Sequence, residues 1–463
     1  MPGSWGGRAL ALRGWANRAA REYPARLAMT VFAAVITVIW LLLLTPWATA
    51  SGRGASVVDA FFTATSAVCV TGLVVQDTAT YWSEFGHVVI LVGIKVGGLG
   101  VMTLASLLGL AVSRRLGLTQ KLLTASETKT ERLGEVGALL QTIIVTATSI
   151  ELALSLLLFP RFLVLGDDAG TAAWHALFYG VSSFNNAGFV PTPEGLLPFA
   201  SDWFVLVPIA LGVFIGSLGF PVILNVITNR RRKHKHWVRA LSLHTKLTVT
   251  TSLALLVSGA ILIGALEWNN PATFGGQSFS TKILSSVFAS VMPRSAGFSS
   301  VPVHEMSQET WLLTDALMFV GGGSASTAGG IKVTTFAVML LAIVAEARGD
   351  ADTEVFGRRI PRDTLRLSIA VVFVGATAVL VSCLALLRMT DLRLSEALFE
   401  VISAYATVGL STGVTASLPD GAKYLLAGLM FVGRVGVISL LGALALRDRR
   451  RIVRFPEERP IIG

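Results

Sequence analysis

Long apolar runs recur along the whole chain, and shorter apolar segments alternate with them. Eight runs are long enough for a membrane-spanning helix, which needs about 20 apolar residues. The eight runs lie at about residues 27–49, 86–112, 136–165, 203–228, 243–267, 308–346, 364–388 and 422–446. Four shorter segments fall between alternate pairs, and their length is typical of buried or re-entrant elements. The four segments lie at about residues 57–70, 172–184, 281–292 and 394–405.

Each short segment ends in a glycine within a small motif. The motifs read "CVTGLV", "NNAGFV", "RSAGFS" and "ATVGLS", and their glycines are Gly72, Gly188, Gly297 and Gly409. Successive glycines are 116, 109 and 112 residues apart, and a large apolar residue follows each one. A phenylalanine precedes the glycine by ten residues in three units and by nine in the third. The pattern predicts four tandem units of helix, short helix, glycine turn and helix.

Composition assigns the class of protein. The chain is 53% hydrophobic and 14% charged, with a mean hydropathy of +0.68, whereas soluble domains carry about 25% charged residues. We therefore expect an all-α polytopic membrane protein with four helix–pore-helix–filter–helix repeats around one pore and eight spanning helices. The N-terminal run is longer than a signal-peptide core, which predicts a retained helix. Two isolated cysteines make no disulfide framework.

The net charge of +10 follows the topology and does not predict binding to nucleic acid. Twenty-eight Lys and Arg residues lie before, between and after the units, whereas six lie in the intervening loops. Because cytoplasmic loops of membrane proteins carry the excess of Lys and Arg, both termini are predicted in the cytoplasm and the glycine turns toward the outside. The predicted location is the cell membrane, with several passes through the lipid bilayer.

Four quasi-equivalent glycine turns can surround one axis. Rings of backbone carbonyls replace the hydration shell of a cation in ion filters, and glycine reaches the positive-φ conformations that such a backbone needs. The short helices would also point their partly negative C-terminal ends inward, which favours a cation. The alternative is that the glycines only allow close helix packing. Their near-equal spacing favours the filter.

The stretch "GGGSASTAGGIK" from Gly321 to Lys332 interrupts the sixth apolar run. A phosphate cradle of the Walker type needs lysine directly after glycine, and Ile331 intervenes here. Small-residue packing is one interpretation. We favour a break in the helix that forms a flexible loop below the filter and acts as a gate. The gate comprises Gly321, Gly322, Gly323, Ser324, Ala325, Ser326, Thr327, Ala328, Gly329 and Gly330.

Ionisable residues inside apolar runs are costly and usually have a task. Arg434 lies in the last run, either facing the pore and tuning cation occupancy or pairing with a carboxylate between helices. For Lys95 and Glu151 we favour structural pairing. Arg294 lies beside the third turn and either braces or lines the filter.

The residues also resemble a known family. The four motifs, "KVGGLGVMT" (Lys95 to Thr103), "GGSASTAGGIKVTTF" and "GRVGVIS" are similar to the KtrB/TrkH superfamily of potassium transporters, over roughly residues 27–446. A single spanning helix before the first motif makes the chain look like KtrB. Plant relatives with serine at the first filter glycine favour sodium, so Gly72 favours potassium. Lys95 stands where the family pattern suggests glutamine, which calls for a local carboxylate or alters gating.

The resemblance implies a site and its residues. The filter carbonyls, which would bind the transported K⁺, would come from three residues in each turn. Gly321 to Gly330 would match the family's intramembrane gating loop. Arg434 would match the family's pore-facing arginine. The filter residues are Val70, Thr71, Gly72, Asn186, Ala187, Gly188, Ser295, Ala296, Gly297, Thr407, Val408 and Gly409. The resemblance leaves open whether Na⁺ acts as an activator.

The resemblance also implies partners: a homodimer with one pore per subunit, docked on a cytoplasmic KtrA-type ring that binds adenine nucleotides. The predicted segments are a cytoplasmic N-terminus (1–26), repeats at 27–113, 135–229, 241–347 and 363–446, and a cytoplasmic C-terminus (447–463). An alternating-access carrier is the alternative function, although carriers favour inverted repeats. An enzyme is not expected, because no carboxylate pair, metal-ligand cluster or nucleophile–base arrangement is found in the sequence.

Overall fold

The computed structural model describes residues 24–116, 134–231 and 238–436. It is almost entirely helical, apart from a hairpin of two-residue strands, β1 (Glu354–Val355) and β2 (Arg358–Arg359). The predicted all-α membrane class is confirmed. The predicted C-terminal segment 447–463 and most of the N-terminal segment 1–26 lie outside the described residues.

The longer helices follow the predicted order. In the first half they are α1 (Pro24–Leu43), α2 (Val57–Val68), α3 (Glu84–Leu116), α4 (Gly134–Leu165), α5 (Ala169–Phe184), α6 (Trp203–Leu218) and α7 (Phe220–Arg231). In the second half they are α8 (Leu243–Glu267), α9 (Phe279–Val291), α10 (Gln308–Phe319), α11 (Val333–Arg348), α12 (Arg362–Met389), α13 (Leu394–Tyr405) and α14 (Asp420–Phe431). The minor elements are a helical turn, Thr78–Tyr81, 3₁₀ turns at Pro46–Ala48, Leu197–Phe199, Val303–Glu305 and Thr415–Ser417, and a π-helical turn, Val432–Gly436.

The short helices α2, α5, α9 and α13 lie at the four predicted positions, and we call them the pore helices. Polar residues start them, because the first backbone N–H groups of a helix need acceptors. Ser56 Oγ accepts from Asp59 N at 3.0 Å, Asp168 Oδ2 from Gly170 N at 2.9 Å, and Ser278 Oγ from Thr281 N at 3.3 Å. Glu396 Oε2 accepts from the backbone N of Arg393 at 2.9 Å.

Four described helical segments are long and apolar enough to cross a membrane: Glu84–Leu104, Leu139–Leu165, Leu243–Glu267 and Arg362–Met389. A fifth span results if α6 and α7 are counted together, although they are bent by 96° at Gly219. The run predicted over residues 203–228 is thus divided into two helices, and whether they form one span stays a prediction. Of the other predicted spans, 308–346 is broken between α10 and α11, and 422–446 extends beyond the described residues. The total of eight spans stays a prediction.

The largest buried core joins the first unit to the last. It combines residues of α1, α2 and α3 with residues of α12, α13 and α14. An ion pair crosses the same interface, with Lys423 Nζ 3.0 Å from Asp59 Oδ1 and both side chains only 11% exposed. Removing one partner of such a pair costs about 3–5 kcal/mol, because the other charge stays buried. The chain is thus closed on itself around the pore helices.

Candidate functional site

The turns that follow the pore helices share an unusual backbone. In every turn the first filter residue and the glycine have positive φ, and the residue between them is not among the positive-φ positions. The angles at the first residues are 55° (Val70), 60° (Asn186), 74° (Ser295) and 47° (Thr407). Those at the glycines are 93° (Gly72), 73° (Gly188), 66° (Gly297) and 96° (Gly409). Positive φ was predicted at the glycines, and the structure adds it at the first residue of each turn.

Hydrogen bonds from the middle residue hold three of the turns in one geometry. The backbone N of Thr71, Ala187 and Val408 donates at 2.8 Å to the carbonyl five residues earlier, on Ser66, Ser182 and Ser403. The third turn differs, because Ala296 N donates to Met292 O, four residues earlier, at 3.0 Å. This turn is one residue tighter, which explains why its phenylalanine is nine residues from the glycine and not ten.

The four glycines form a closed ring. A β-carbon added to Gly188 would lie 2.7 Å from Ala296 O, and one added to Gly297 would lie 2.5 Å from Val408 O. Gly72 approaches Ala187 O and Gly409 approaches Thr71 O still more closely. Each glycine therefore meets the middle carbonyl of the next turn, in the order first, second, third, fourth and first again. No side chain fits between neighbouring turns.

An open cavity of about 380 Å³ lies on the glycine side of this ring. All four glycines line it, together with Asp77, Glu194 and His304. Two carboxylates at its wall make the cavity attractive to cations. Among the described residues, no group of three or more His, Cys, Asp or Glu side chains could hold a metal ion.

The glycine-rich loop between α10 and α11 lies on the other side of the ring. Thr327 Oγ1 donates to Asn186 Oδ1 at 3.0 Å, and Gly329 N donates to Ser295 Oγ at 2.8 Å. A β-carbon on Gly329 would overlap Thr407 Oγ1. The loop therefore contacts the first filter residue of three turns, at the end opposite to the cavity.

The bend between α6 and α7 in the second unit binds this loop. Gly219 has φ 93° and ψ 150°, a backbone region that is essentially restricted to glycine. The bend frees backbone groups at both helix ends, and the loop uses them: Gly323 N donates to Ser217 O at 2.7 Å, and Phe220 N donates to Ala325 O at 3.1 Å. The sequence analysis missed this break. Its signal was Pro221, directly after "GF", because proline often marks a new helix start.

Two buried cations hold adjacent carbonyls of the loop. Arg434, 2% exposed, donates through Nη1 to Thr327 O, and Lys332, 8% exposed, donates through Nζ to Ala328 O at 2.7 Å. Neither forms an ion pair within the described parts of the chain. Arg434 lies in the π-helical turn, a geometry that often marks functional sites. Among the described residues, Arg434 therefore has no carboxylate partner of the kind that the alternative interpretation required. The contact of Lys332 with the loop was not predicted from the sequence.

The other two ionisable residues inside apolar runs lie beside the turns. Lys95 forms an ion pair with Glu151, which confirms the predicted structural pairing and supplies the expected carboxylate. Arg294 is 1% exposed, and its Nη2 donates to Ser252 O at 2.5 Å. Its own carbonyl accepts from Asn186 Nδ2 at 3.4 Å. Arg294 thus packs behind the third turn, as the bracing alternative expects.

Comparison with known proteins places the chain beside one group of membrane transporters. The family model described as TrkH, a cation transport protein, matches residues 9–449. "Ktr system potassium uptake protein B" of Bacillus subtilis is 36% identical over 441 residues, which cover 95% of this chain and 96% of that protein. The protein of the same name from Vibrio alginolyticus is 36% identical and covers 89% of this chain and 90% of its own length.

A further relative is named for two ions, and one solved structure shares the fold. "Potassium/sodium uptake protein NtpJ" of Enterococcus hirae is 31% identical over 96% of this chain and 98% of its own length. The crystal structure of the potassium transporter TrkH from Vibrio parahaemolyticus aligns with a TM-score of 0.69 at 18% identity, over 90% of this chain and 86% of that one.

Proposed function

We propose that this chain, which belongs to the TrkH family of cation transport proteins, is the pore subunit of a potassium-uptake system. The observation that carries the proposal is the closed ring, in which the glycine of each turn touches the middle carbonyl of the next. Such a ring can replace the water around a cation with protein oxygens. The filter would use the twelve residues named above, three from each turn.

Potassium is the favoured ion on two grounds. Relatives that match this chain over nearly its full length are named as potassium uptake proteins. In addition, glycine occupies the fourth position of every motif, so each turn leaves room for the middle carbonyl of the next turn. Because one relative is named for both potassium and sodium, the preference has to be measured with both ions.

The loop from Gly321 to Gly330 is proposed as the gate. Its position against Asn186 and Ser295 would block an ion that leaves the inner end of the filter. Arg434 and Lys332 would hold the blocked state, since each donates to a carbonyl of the loop. Opening requires those carbonyls and the two cations to separate.

The assembly is proposed by analogy with the family. The chain would act as a homodimer in the cell membrane, with both termini in the cytoplasm, and would dock on a nucleotide-binding ring of the KtrA type. The basic segments between the units support docking on the cytoplasmic side. Sodium would act as an activator of potassium flux.

The deciding experiment is cation flux into liposomes that contain the purified chain, with potassium and sodium gradients compared. We expect potassium flux well above sodium flux. If neither ion enters, the assay is repeated with a KtrA-type ring added. Equal fluxes of the two ions, or no flux even with the ring, would contradict the proposed filter.

A further inference from the structure

A short polar chain leads from the ion pair of α3 and α4 to the second filter turn. Lys95 Nζ pairs with Glu151 Oε2 and also donates to Thr148 Oγ1 at 3.2 Å. The other carboxylate oxygen, Glu151 Oε1, accepts from Asn185 Nδ2 at 2.7 Å. Glu151 is only 2% exposed. One buried carboxylate is therefore shared between a lysine and a residue of the turn.

Asn185 is held from three directions. Its Nδ2 donates to Val181 O at 2.9 Å as well as to Glu151. Its Oδ1 lies against Gly98 of α3, where an added β-carbon would overlap it. Asn185 ends pore helix α5, and the next residue is Asn186, the first residue of the second filter turn. A shift of the Asn185 amide would therefore move the start of this turn.

Asn186 extends the chain to the gate and to the third turn. Its Oδ1 accepts from Thr327 Oγ1 of the loop at 3.0 Å, and its Nδ2 donates to Arg294 O at 3.4 Å. Displacement of Asn186 would thus disturb both the second filter turn and its hydrogen bond to the loop.

We propose that Lys95 and Glu151 are positioning residues for the second filter turn and act through Asn185. Removal of the lysine charge leaves a buried carboxylate that must take a proton or recruit another donor. Either response changes the hydrogen bond that Glu151 Oε1 accepts from Asn185 Nδ2. This inference rests on the proposed potassium filter, and it assigns ion selectivity, beyond stability, to a pair of charges between two helices.

The test measures the ratio of potassium to sodium flux, together with the thermal unfolding midpoint, for matched variants in liposomes. Lys95→Gln breaks the pair, and Gly98→Ala pushes the same amide from the opposite side without changing any charge. We expect both variants to lower the flux ratio by about threefold or more. The double variant Lys95→Gln/Glu151→Gln restores most of the ratio, because two amides can donate and accept without a stranded charge.

Two control variants lie on the same helices. Arg161→Gln removes a second ion pair of α4, whose partner Asp202, 2.7 Å away, also accepts from Phe204 N. Gly100→Ala places a β-carbon on α3 that, among the described residues, meets only the ring of Phe32, at 3.3 Å. Both should keep the flux ratio of the unmodified chain, whatever happens to their stability.

Several outcomes separate the explanations. A purely structural pair would lower the unfolding midpoint of Lys95→Gln and leave its flux ratio equal to that of the controls, and this result would overturn the inference. If Lys95→Gln fails to fold, Gly98→Ala and the double variant still decide it. If the unmodified chain prefers neither ion, the proposed function fails, and the inference fails with it.

Discussion

At the scale of single residues, the filter turns contain strain that glycine alone does not explain. Val70 and Thr407 are β-branched, yet their φ angles are 55° and 47°. Positions of this kind cost about 1–3 kcal/mol each and persist only where surrounding bonds impose them. The bonds from Thr71 N to Ser66 O and from Val408 N to Ser403 O impose them here. The turns are therefore set by the pore helices that precede them.

Replacement of Gly72 tests the ring. In Gly72→Ser the β-carbon would overlap Ala187 O of the second turn, so neighbouring carbonyls must separate. We expect the ratio of potassium to sodium flux to fall by about tenfold, which corresponds to about 1.4 kcal/mol. Gly413→Ser is the matched control, because its φ of 91° is close to the 93° of Gly72 and nothing lies within 4 Å of its added β-carbon. Equal loss of selectivity in both variants would attribute the effect to backbone strain and not to the ring.

The sequence pointed to the glycines of the ring, and it did not indicate the backbone geometry of the residues before them. Spacing alone pointed to the four glycines, because each follows a short apolar segment and successive glycines are 116, 109 and 112 residues apart. It did not identify the positive φ of Val70 or Asn186, since such conformations are imposed by tertiary contacts and not by local preference. Lys332 was missed for a similar reason: a lysine at a helix start usually reaches water, and only the fold shows it buried against the loop.

At the scale of elements, the glycine-rich loop can be removed with little change to its ends. Val320 and Ile331 already form a bridge, and Ile331 N donates to Phe319 O at 3.1 Å. Deletion of Gly321 to Gly330 should therefore raise potassium flux in liposomes without a cytoplasmic partner, because nothing then obstructs the inner end of the filter.

Two point variants refine this test. Thr327→Ala removes the bond to Asn186 and should raise flux to a smaller extent. Ser324→Ala should leave flux unchanged, because the Ser324 hydroxyl bonds Thr334 within the loop and α11. Flux that stays low and dependent on a partner after the deletion would exclude the gate.

Helix positions were predictable from hydropathy, whereas the bend between α6 and α7 was not. All four pore helices lie where short apolar segments predicted them. A short apolar segment at membrane depth has to pair its backbone N–H and C=O groups within itself, and a helix does this. Residues 203–228 were read as one span because their hydropathy is continuous. Hydropathy indicates whether a residue is buried in an apolar environment and not the direction of the backbone. The hydropathy of this run therefore does not reveal the 96° bend at Gly219.

At the scale of the whole molecule, the arrangement of basic residues predicts which loops face the cytoplasm. The two native cysteines are buried, so a single exposed cysteine can be introduced without background. Ser51→Cys, between α1 and α2, should react with a membrane-impermeant thiol reagent on intact cells. Glu354→Cys, in the hairpin, should react only after the membrane is opened. The reverse pattern would invert the proposed orientation.

The closed ring is made by a single polypeptide, and this has a consequence for the loop beneath it. A pore built from four identical subunits obeys fourfold symmetry, so a loop that reaches the axis from one subunit would meet three copies of itself in the same space. Four unequal segments of one chain break that symmetry, and one quadrant alone can extend across the axis. Every amino-acid substitution likewise changes a residue in one quadrant only. If the ring is the proposed filter, one substitution can change its selectivity at a single position, whereas a symmetric pore changes at four positions together.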